Sequence, residues 1–374
     1  MTEKIMWYAL SKVPGLEVSY LERILATTGN IETLFRIRKQ ELRKILEGLR
    51  IPERIMEPLL IVREFDYRNE YDAMIKNGVS FIIRSDNDFP KRLRSISEAP
   101  YYLYYKGKLP TEDKPALAII GARNCSVYGQ QIAICFSKIL AGCGIQIISG
   151  MARGIDGYAH KGALEASGYT CAVLGFGMDI CYPKEHIGLK REIEQSGCIM
   201  TEYAFGIPGL SQNFPARNRL IAGISDAVFV VEAAKRSGTL ITADFALEQG
   251  KMVYAVPGRI GDRLSEGCNE LIRDGGKIIN NPEDILSEFN LQLNKTVKKT
   301  RNQKNKIVLE TQEKIVYACL DFEPRHIEQL VLLTELPQEE LLVCLMRLEM
   351  LGVIRQPVKN YYIKNIENAD LISK

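Results

Sequence analysis

No stretch of this 374-residue sequence reaches the roughly 18 uninterrupted apolar positions that a membrane-spanning helix needs. No membrane insertion is expected. The amino terminus, MTEKIMWYALSKVPG, mixes polar and apolar residues and has no apolar run ending in a small-residue cleavage site, so no export signal is read there. Metal-ligand spacing is missing too. The nine cysteines are scattered from Cys125 to Cys344 without a Cys-x-x-Cys pair, and most lie inside apolar runs, where a reduced thiol behaves as a small hydrophobe. These absences predict a cytoplasmic protein with no structural metal and no disulfide framework. A dominant charge sign is also lacking: the net charge is +3, with 46% hydrophobic and 25% charged residues, as in a soluble globular chain. The stretch KTVKKTRNQKNK (295–306) holds six basic and no acidic residues, which leaves −3 for the remainder. Any phosphate site elsewhere must be a local cluster.

What is present divides the chain into regions. Residues 1–65 carry short amphipathic helical patterns, with Leu21, Ile24 and Leu25 at helical spacing and Ile37, Leu42, Ile45 and Leu46 more loosely so. Val13-Pro14-Gly15-Leu16 is similar to the turn of a helix-hairpin-helix, which holds a DNA backbone through glycine amides. The plainer expectation is a small helical module packed on the main domain or on a partner. Residues 66–290 open with strand-and-turn segments, and from Ala116 short apolar runs alternate with helix-length segments. Strands are predicted at 116–120, 145–149, 171–174, 198–201, 227–231, 252–256 and 277–279, with Gly142, Gly168, Gly197 and Gly250 where helix C-caps belong. Such alternation predicts a doubly wound parallel sheet, because parallel strands need crossover helices. Residues 291–308 read as an exposed basic linker, and 309–374 as three helices and a hairpin in winged-helix order. The predicted fold is therefore α/β: an extended Rossmann-like doubly wound sheet with a small N-terminal helical module and a C-terminal winged helix.

Ligands of that architecture sit beyond the carboxyl ends of the strands, so the candidate chemistry lies in those loops. GARNCSVYG (121–129) is neither G-x-G-x-x-G nor a Walker loop, which removes the main support for a dinucleotide or triphosphate. A glycine turn opening a helix still offers free amides to an anion, and Arg123 adds a bidentate donor. Taken alone, that arginine reads more simply as a surface ion-pair residue. The next loop places Ser149, Gly150, Arg153 and Gly154 in a turn, with Asp156 as the expected helix cap. His160 reads as a hydrogen-bonded packing residue, since no second His or Cys stands at ligand spacing. GFGMDICYPKEH then brings Lys184. NFPARNRLIAGISDA brings Arg217 and Arg219 around Asn218 at a helix start, and the loop after Glu232 brings Ser237, Gly238 and Thr239. Glycine, a hydroxyl or amide, and a basic side chain thus recur at one rim of the sheet, which suits a polyanion better than a single nucleotide. A catalytic constellation is missing: there is no G-x-S-x-G elbow, metal cluster or evident carboxylate pair, and Asp156 and Glu232 remain the acid or base candidates.

These residues also carry a resemblance. GARNCSVYG, SGMARGIDGYAHKGALEASG, AVLGFGMDICYPKEH, NFPARNRLIAGISDAVFVVEA, SGTLITADFALEQGK and GCNELIRDGGK are similar, in order, to the blocks of the DNA-processing protein A family, also called Smf. The resemblance covers nearly all of 116–280. It implies a Rossmann-like domain that binds single-stranded DNA, forms a homodimer, protects incoming DNA and helps load the RecA recombinase during natural transformation, without an enzymatic step or cofactor. It further implies that Arg123 and Lys184 occupy basic DNA-contacting positions. Arg217, Asn218 and Arg219 match an FPxRNR block, and Ser149, Gly150, Arg153, Gly154 and Asp156 an SGxARGID block. The competing expectation is an enzyme or sensor for a nucleotide-derived small molecule. Against hydrolysis, the loop RSGTLITA lacks the Pro-Gly-Gly and following Glu of nucleotide hydrolases on a similar fold. In the third carboxy-terminal helix Gln338, Glu339, Glu340 and Glu349 outnumber Arg347, which would repel phosphate and favours protein contact.

Overall fold

The computed structural model describes residues 2–293 and 307–368. The basic stretch 295–306 lies outside the described residues. Six helices come first: α1 (Glu3–Leu10), α2 (Val18–Thr28), α3 (Ile31–Arg36), α4 (Lys39–Gly48), α5 (Glu53–Val62) and α6 (Arg68–Lys76). Their apolar stripes, including Leu21, Ile24, Leu42 and Leu46, do not close on themselves alone. They share one core with Phe81, Tyr104, Ala172, Leu174 and Ile199 of the sheet, and Ser11 hydrogen-bonds the Tyr104 hydroxyl across that junction. The expectation that this module packs on the main domain holds, with Gly15 exposed in the turn between α1 and α2 at φ +72°.

The sheet begins with β1 (Ser80–Ile83), and after α7 (Lys91–Arg94) continues with β2 (Tyr102–Gly107) and β3 (Ala116–Ile120). Then follow α8 (Val127–Gly142), β4 (Gln146–Ser149), α9 (Ile155–Glu165), β5 (Thr170–Val173), α10 (Ile187–Ser196), β6 (Cys198–Thr201), α11 (Asn213–Ile224), β7 (Ala227–Val230), α12 (Gly238–Glu248), β8 (Met252–Ala255), α13 (Glu266–Arg273), β9 (Lys277–Ile278) and α14 (Pro282–Glu288). The strand order is β1-β2-β6-β5-β4-β3-β7-β8-β9. From β6 to β9 neighbouring strands run parallel, while β2 is antiparallel to both β1 and β6. The predicted strands coincide with β3 to β9 to within a residue or so at each end. Both faces are covered, as an all-apolar parallel strand requires: in β3, Leu117 and Ile119 face α8, whereas Ala116, Ala118 and Ile120 face the α11 side. Because β3 pairs with β4 on one side and β7 on the other, and the helices that follow β3 and β7, α8 and α12, lie on opposite faces, the loops after β3 and β7 part above the sheet. That divergence is the crevice where such folds bind ligands.

Two of the expected C-cap glycines stand at helix ends, Gly197 after α10 and Gly250 after α12, whereas Cys143 and Ala166 cap α8 and α9. Of the four expected C-cap glycines only Gly250 is left-handed, at φ +68°, while Gly144 and Ser167 take that conformation after α8 and α9. Gly197 is the C-cap of α10 as expected, at φ −151° rather than left-handed, and a Cβ there would overlap the Thr170 carbonyl.

The carboxy-terminal domain comprises α15 (Thr311–Ala318), β10 (Arg325–His326), α16 (Ile327–Thr334), α17 (Gln338–Met350), β11 (Ile354–Val358) and β12 (Tyr361–Lys364), in winged-helix order. Leu341, Leu345 and Leu348 enter its core with Val316 and Leu330. Leu351 lies past the helix end and is 41% exposed. The domain rests on α8: the Gln131 side chain donates to the Lys364 carbonyl at 3.3 Å and accepts from the Ile366 amide at 3.0 Å. Among the described residues no helix is long and apolar enough to cross a membrane, and each cysteine is a free thiol.

Candidate nucleic-acid interface

At the carboxyl edge of the sheet the diverging loops enclose a cavity of about 600 Å³, lined among others by Arg123, Asn124, Phe214, Arg217, Asn218, Ser237, Thr239 and Arg263. Residues from the ends of β3, β4, β7 and β8 and from the start of α11 meet there. Three guanidiniums face one carboxylate, Asp156, so the cavity wall is cationic.

The rim residues separate into those that build the cavity and those that face out of it. Ser149 belongs to the first group: it is fully buried and its Oγ donates to the Ile119 carbonyl at 2.7 Å, tying β4 to β3. Asp156 is not the helix cap expected of it. The N-cap of α9 is Gly154, and Asp156, two residues on in the first turn, accepts from the Gly150 amide at 3.1 Å and bends the preceding loop back on the helix. Burial raises its pKa, opposed chiefly by the nearby Arg217 charge. Arg217 is 3% exposed and donates to the carbonyls of Gly150, at 2.9 Å, and of Val173. Desolvation pulls it down to about 10, with Asp156 acting the other way. Gly150 separates the two groups; a Cβ there would come within 2.7 Å of both. Arg219 points elsewhere and pairs with Glu202 at 2.5 Å. Arg217 and Arg219 thus do not both reach the rim, because two residues apart on a helix is about 200°.

Arg123, Arg153 and Lys184 are exposed. Arg123 lies 5.0 Å from the Phe214 ring centroid and has no ion pair among the described residues. Lys184, likewise without an ion pair among the described residues, opens the short 3-10 turn Lys184–His186 on the loop after β5. Arg153 is partly neutralised by an ion pair with Glu185. Gly154 adopts φ +74° against the Ala122 and Arg123 carbonyls, so no side chain fits there without moving the Arg123 loop. The α12 N-terminus supplies Ser237, Gly238 and Thr239: the Ser237 Oγ lacks a partner among the described residues and lines the cavity, while Asn218 Nδ2 reaches the Gly238 carbonyl at 3.4 Å.

The two acid–base candidates have structural work instead. Glu232 accepts from the Ser126 amide at 2.9 Å and from its hydroxyl, so its carboxylate satisfies the N-terminus of α8. Asp156 is enclosed as described. His160 is fully buried with Nδ1 2.7 Å from the Thr170 hydroxyl, the packing role expected of it, and desolvation lowers its pKa to about 3. Sequence reasoning missed Asn124, Phe214 and Arg263. Phe214 sits within the NFPARNR block, and Arg263 lies on the loop after β8.

With the site in view, comparison with known proteins decides the family. A model of "DNA recombination-mediator protein A" matches residues 80–290. The chain belongs to that family. A second model, the DprA winged helix domain, matches residues 302–357. Among curated relatives, Protein Smf of Escherichia coli is 43% identical over 57% of this chain and 57% of its own length. The DNA processing protein DprA of Streptococcus pneumoniae is 39% identical over 65% of this chain and 84% of its own. Protein Smf of Synechocystis is 30% identical over 95% and 97%. The match therefore spans little more than half of the E. coli relative. The X-ray structure of S. pneumoniae DprA superposes with a TM-score of 0.65 at 34% identity, covering 77% of this chain and 99% of that one. A Helicobacter pylori DprA structure, described for its single-stranded DNA binding mode, gives 0.52 at 30% identity over 56% and 95%.

Proposed function

We propose that this DprA/Smf-family chain binds single-stranded DNA along the carboxyl rim of its sheet and acts as a recombination mediator in the cytoplasm. The observation that carries the reading is the cationic cavity at the crevice of the sheet, in which Arg123 stands 5.0 Å from the Phe214 ring and Arg263 lines the same wall. Guanidiniums bind phosphate bidentately, and an aromatic ring accepts a base face that is available only in an unpaired strand. Lys184 continues the positive edge two strands further, after β5, so that the rim from β5 to β8 spans about 19 Å at the usual strand spacing. Arg123, Lys184, Phe214, Asn218, Ser237, Gly238, Thr239 and Arg263 are the contacting set in this reading. Ser149, Gly150, Gly154, Asp156 and Arg217 hold the rim in shape, Arg153 is a screened auxiliary, and Arg219 supports the helix. Protection of incoming DNA, loading of RecA during natural transformation and homodimer formation rest on family membership. No chemical step is assigned to the site.

The test is titration of labelled oligo-dT and of duplex across a salt series. Oligo-dT is expected to bind more tightly, with the slope of log affinity against log salt changing by about −0.7 for each phosphate neutralised. Equal or tighter duplex binding would remove the single-strand reading. The cavity is also of nucleotide size, so a sensor of a nucleotide-derived molecule is the second reading. Competition of oligo-dT by micromolar mononucleotide would favour that alternative.

Phe214→Ala is expected to cost roughly 1–3 kcal/mol of oligo-dT affinity, the worth of one stacked base. Its salt slope should stay that of wild type, since no charge is lost. A changed slope with unchanged affinity at low salt would mean that Phe214 only props Arg123.

A further inference from the structure

α17 holds the third-helix position of the winged domain, from which such domains read a DNA groove. Its inward face carries Leu341, Cys344, Leu345 and Leu348. The opposite face is apolar as well: Leu342, Val343, Met346 and Met350 are 37%, 54%, 63% and 86% exposed. At 3.6 residues per turn these four fall in one stripe about 100° wide, directed away from the domain core. A helix that is apolar on both faces is expected to be covered on both. The charges beside the stripe are acidic: Glu339 and Glu340 stand at its amino end, Glu349 on its flank, and Arg347 is occupied by Glu310 at 3.0 Å and Glu313 at 3.7 Å. That rim repels nucleic-acid phosphate, and in a symmetric pair it would face carboxylates of its own kind.

We propose that α17 is a docking face for a partner protein's cationic amphipathic helix. Its apolar side would cover the Leu342–Met346–Met350 stripe, and its Lys or Arg residues would meet Glu340 and Glu349. Apolar anchors at helical spacing fit helix-on-helix recognition, and the carboxylates set the sign of the partner.

The probe is a fluorescent helical peptide of about five turns with a leucine stripe and lysine flanks, titrated against the full chain. The controls are the same peptide with glutamate flanks and a scrambled lysine peptide without the stripe. The striped lysine peptide is expected to bind at least about tenfold more tightly than either control. The double variant Met346→Ser/Met350→Ser should lose about tenfold for that peptide while keeping thermal stability and oligo-dT affinity. Glu349→Lys should weaken the lysine peptide and strengthen the glutamate one. Equal binding of striped and scrambled lysine peptides, or no loss in the double variant, overturns the proposal. A wild-type mass in light scattering that falls in the double variant overturns it in favour of a second copy. Loss of oligo-dT affinity in that variant overturns it in favour of a DNA surface.

Discussion

Arg217→Met is expected to lower unfolding stability by about 3–5 kcal/mol at pH 7 and to abolish strand binding with it, although no phosphate needs to touch this arginine. The guanidinium is enclosed, donating to the Gly150 and Val173 carbonyls. Removing it leaves both carbonyls short of a donor and Asp156 a buried carboxylate without its opposing charge, the costly way to break a buried charge arrangement. The pH dependence has a definite sign. Burial already raises the Asp156 pKa above 3.8 in the folded protein, and losing Arg217 raises it further. The folded variant then takes up a proton more readily than the unfolded chain. Its deficit should shrink as pH falls through the folded value and level off below about 3.8. Urea unfolding at pH 7 and pH 5 measures this, and Asp156→Asn in the Arg217→Met background should recover about half of the loss. A variant as stable as wild type but unable to bind DNA would make Arg217 a contact residue instead.

His160 predicts the opposite slope. Its folded pKa is about 3 against an ordinary 6.5, so the unfolded chain protonates first. The stability that neutral His160 provides is fully present above 6.5 and drains as pH falls toward 3. The full effect is on the order of 5 kcal/mol, of which about 2 kcal/mol should be lost between pH 6.5 and pH 5. His160→Gln, which keeps a partner for the Thr170 hydroxyl but does not titrate, should flatten that segment. The buried carboxylates Asp156 and Glu232, raised by desolvation, act with the opposite sign, so the measured quantity is the difference in slope between wild type and the variant. An unchanged slope in the variant would show that His160 is solvated and ordinary.

Most of the architecture was legible because a parallel sheet writes itself as short apolar runs at crossover spacing, as ALAII and AVFV do. The loops bearing the candidate residues were legible for the same reason, since each begins where a run ends. Which residue of a loop faces solvent was not. Arg217 and Arg219 look equivalent in FPARNR, yet α11 starts at Asn213 and turns one inward to Gly150 and the other toward Glu202. Glu232 reads as a strand-end acid, but the crossing that brings it to Ser126 joins residues 106 apart in sequence. Arg263 was invisible for the same reason: only the fold carries the loop after β8 to the cavity. The apolar outer face of α17 is not set apart by periodicity, because Leu341, Leu345 and Leu348 alone complete a helical stripe.

If exposed cations of the rim hold the strand while the buried ones hold the rim, loss of an exposed cation separates binding from stability. Arg123→Ala and Lys184→Ala are measured for oligo-dT affinity and thermal unfolding in the same buffer. Each should lose about 1.5–3 kcal/mol of binding, the worth of a charge-assisted contact, with melting unchanged. If both variants keep wild-type affinity and wild-type stability, the strand lies elsewhere on the molecule and the rim is only structure.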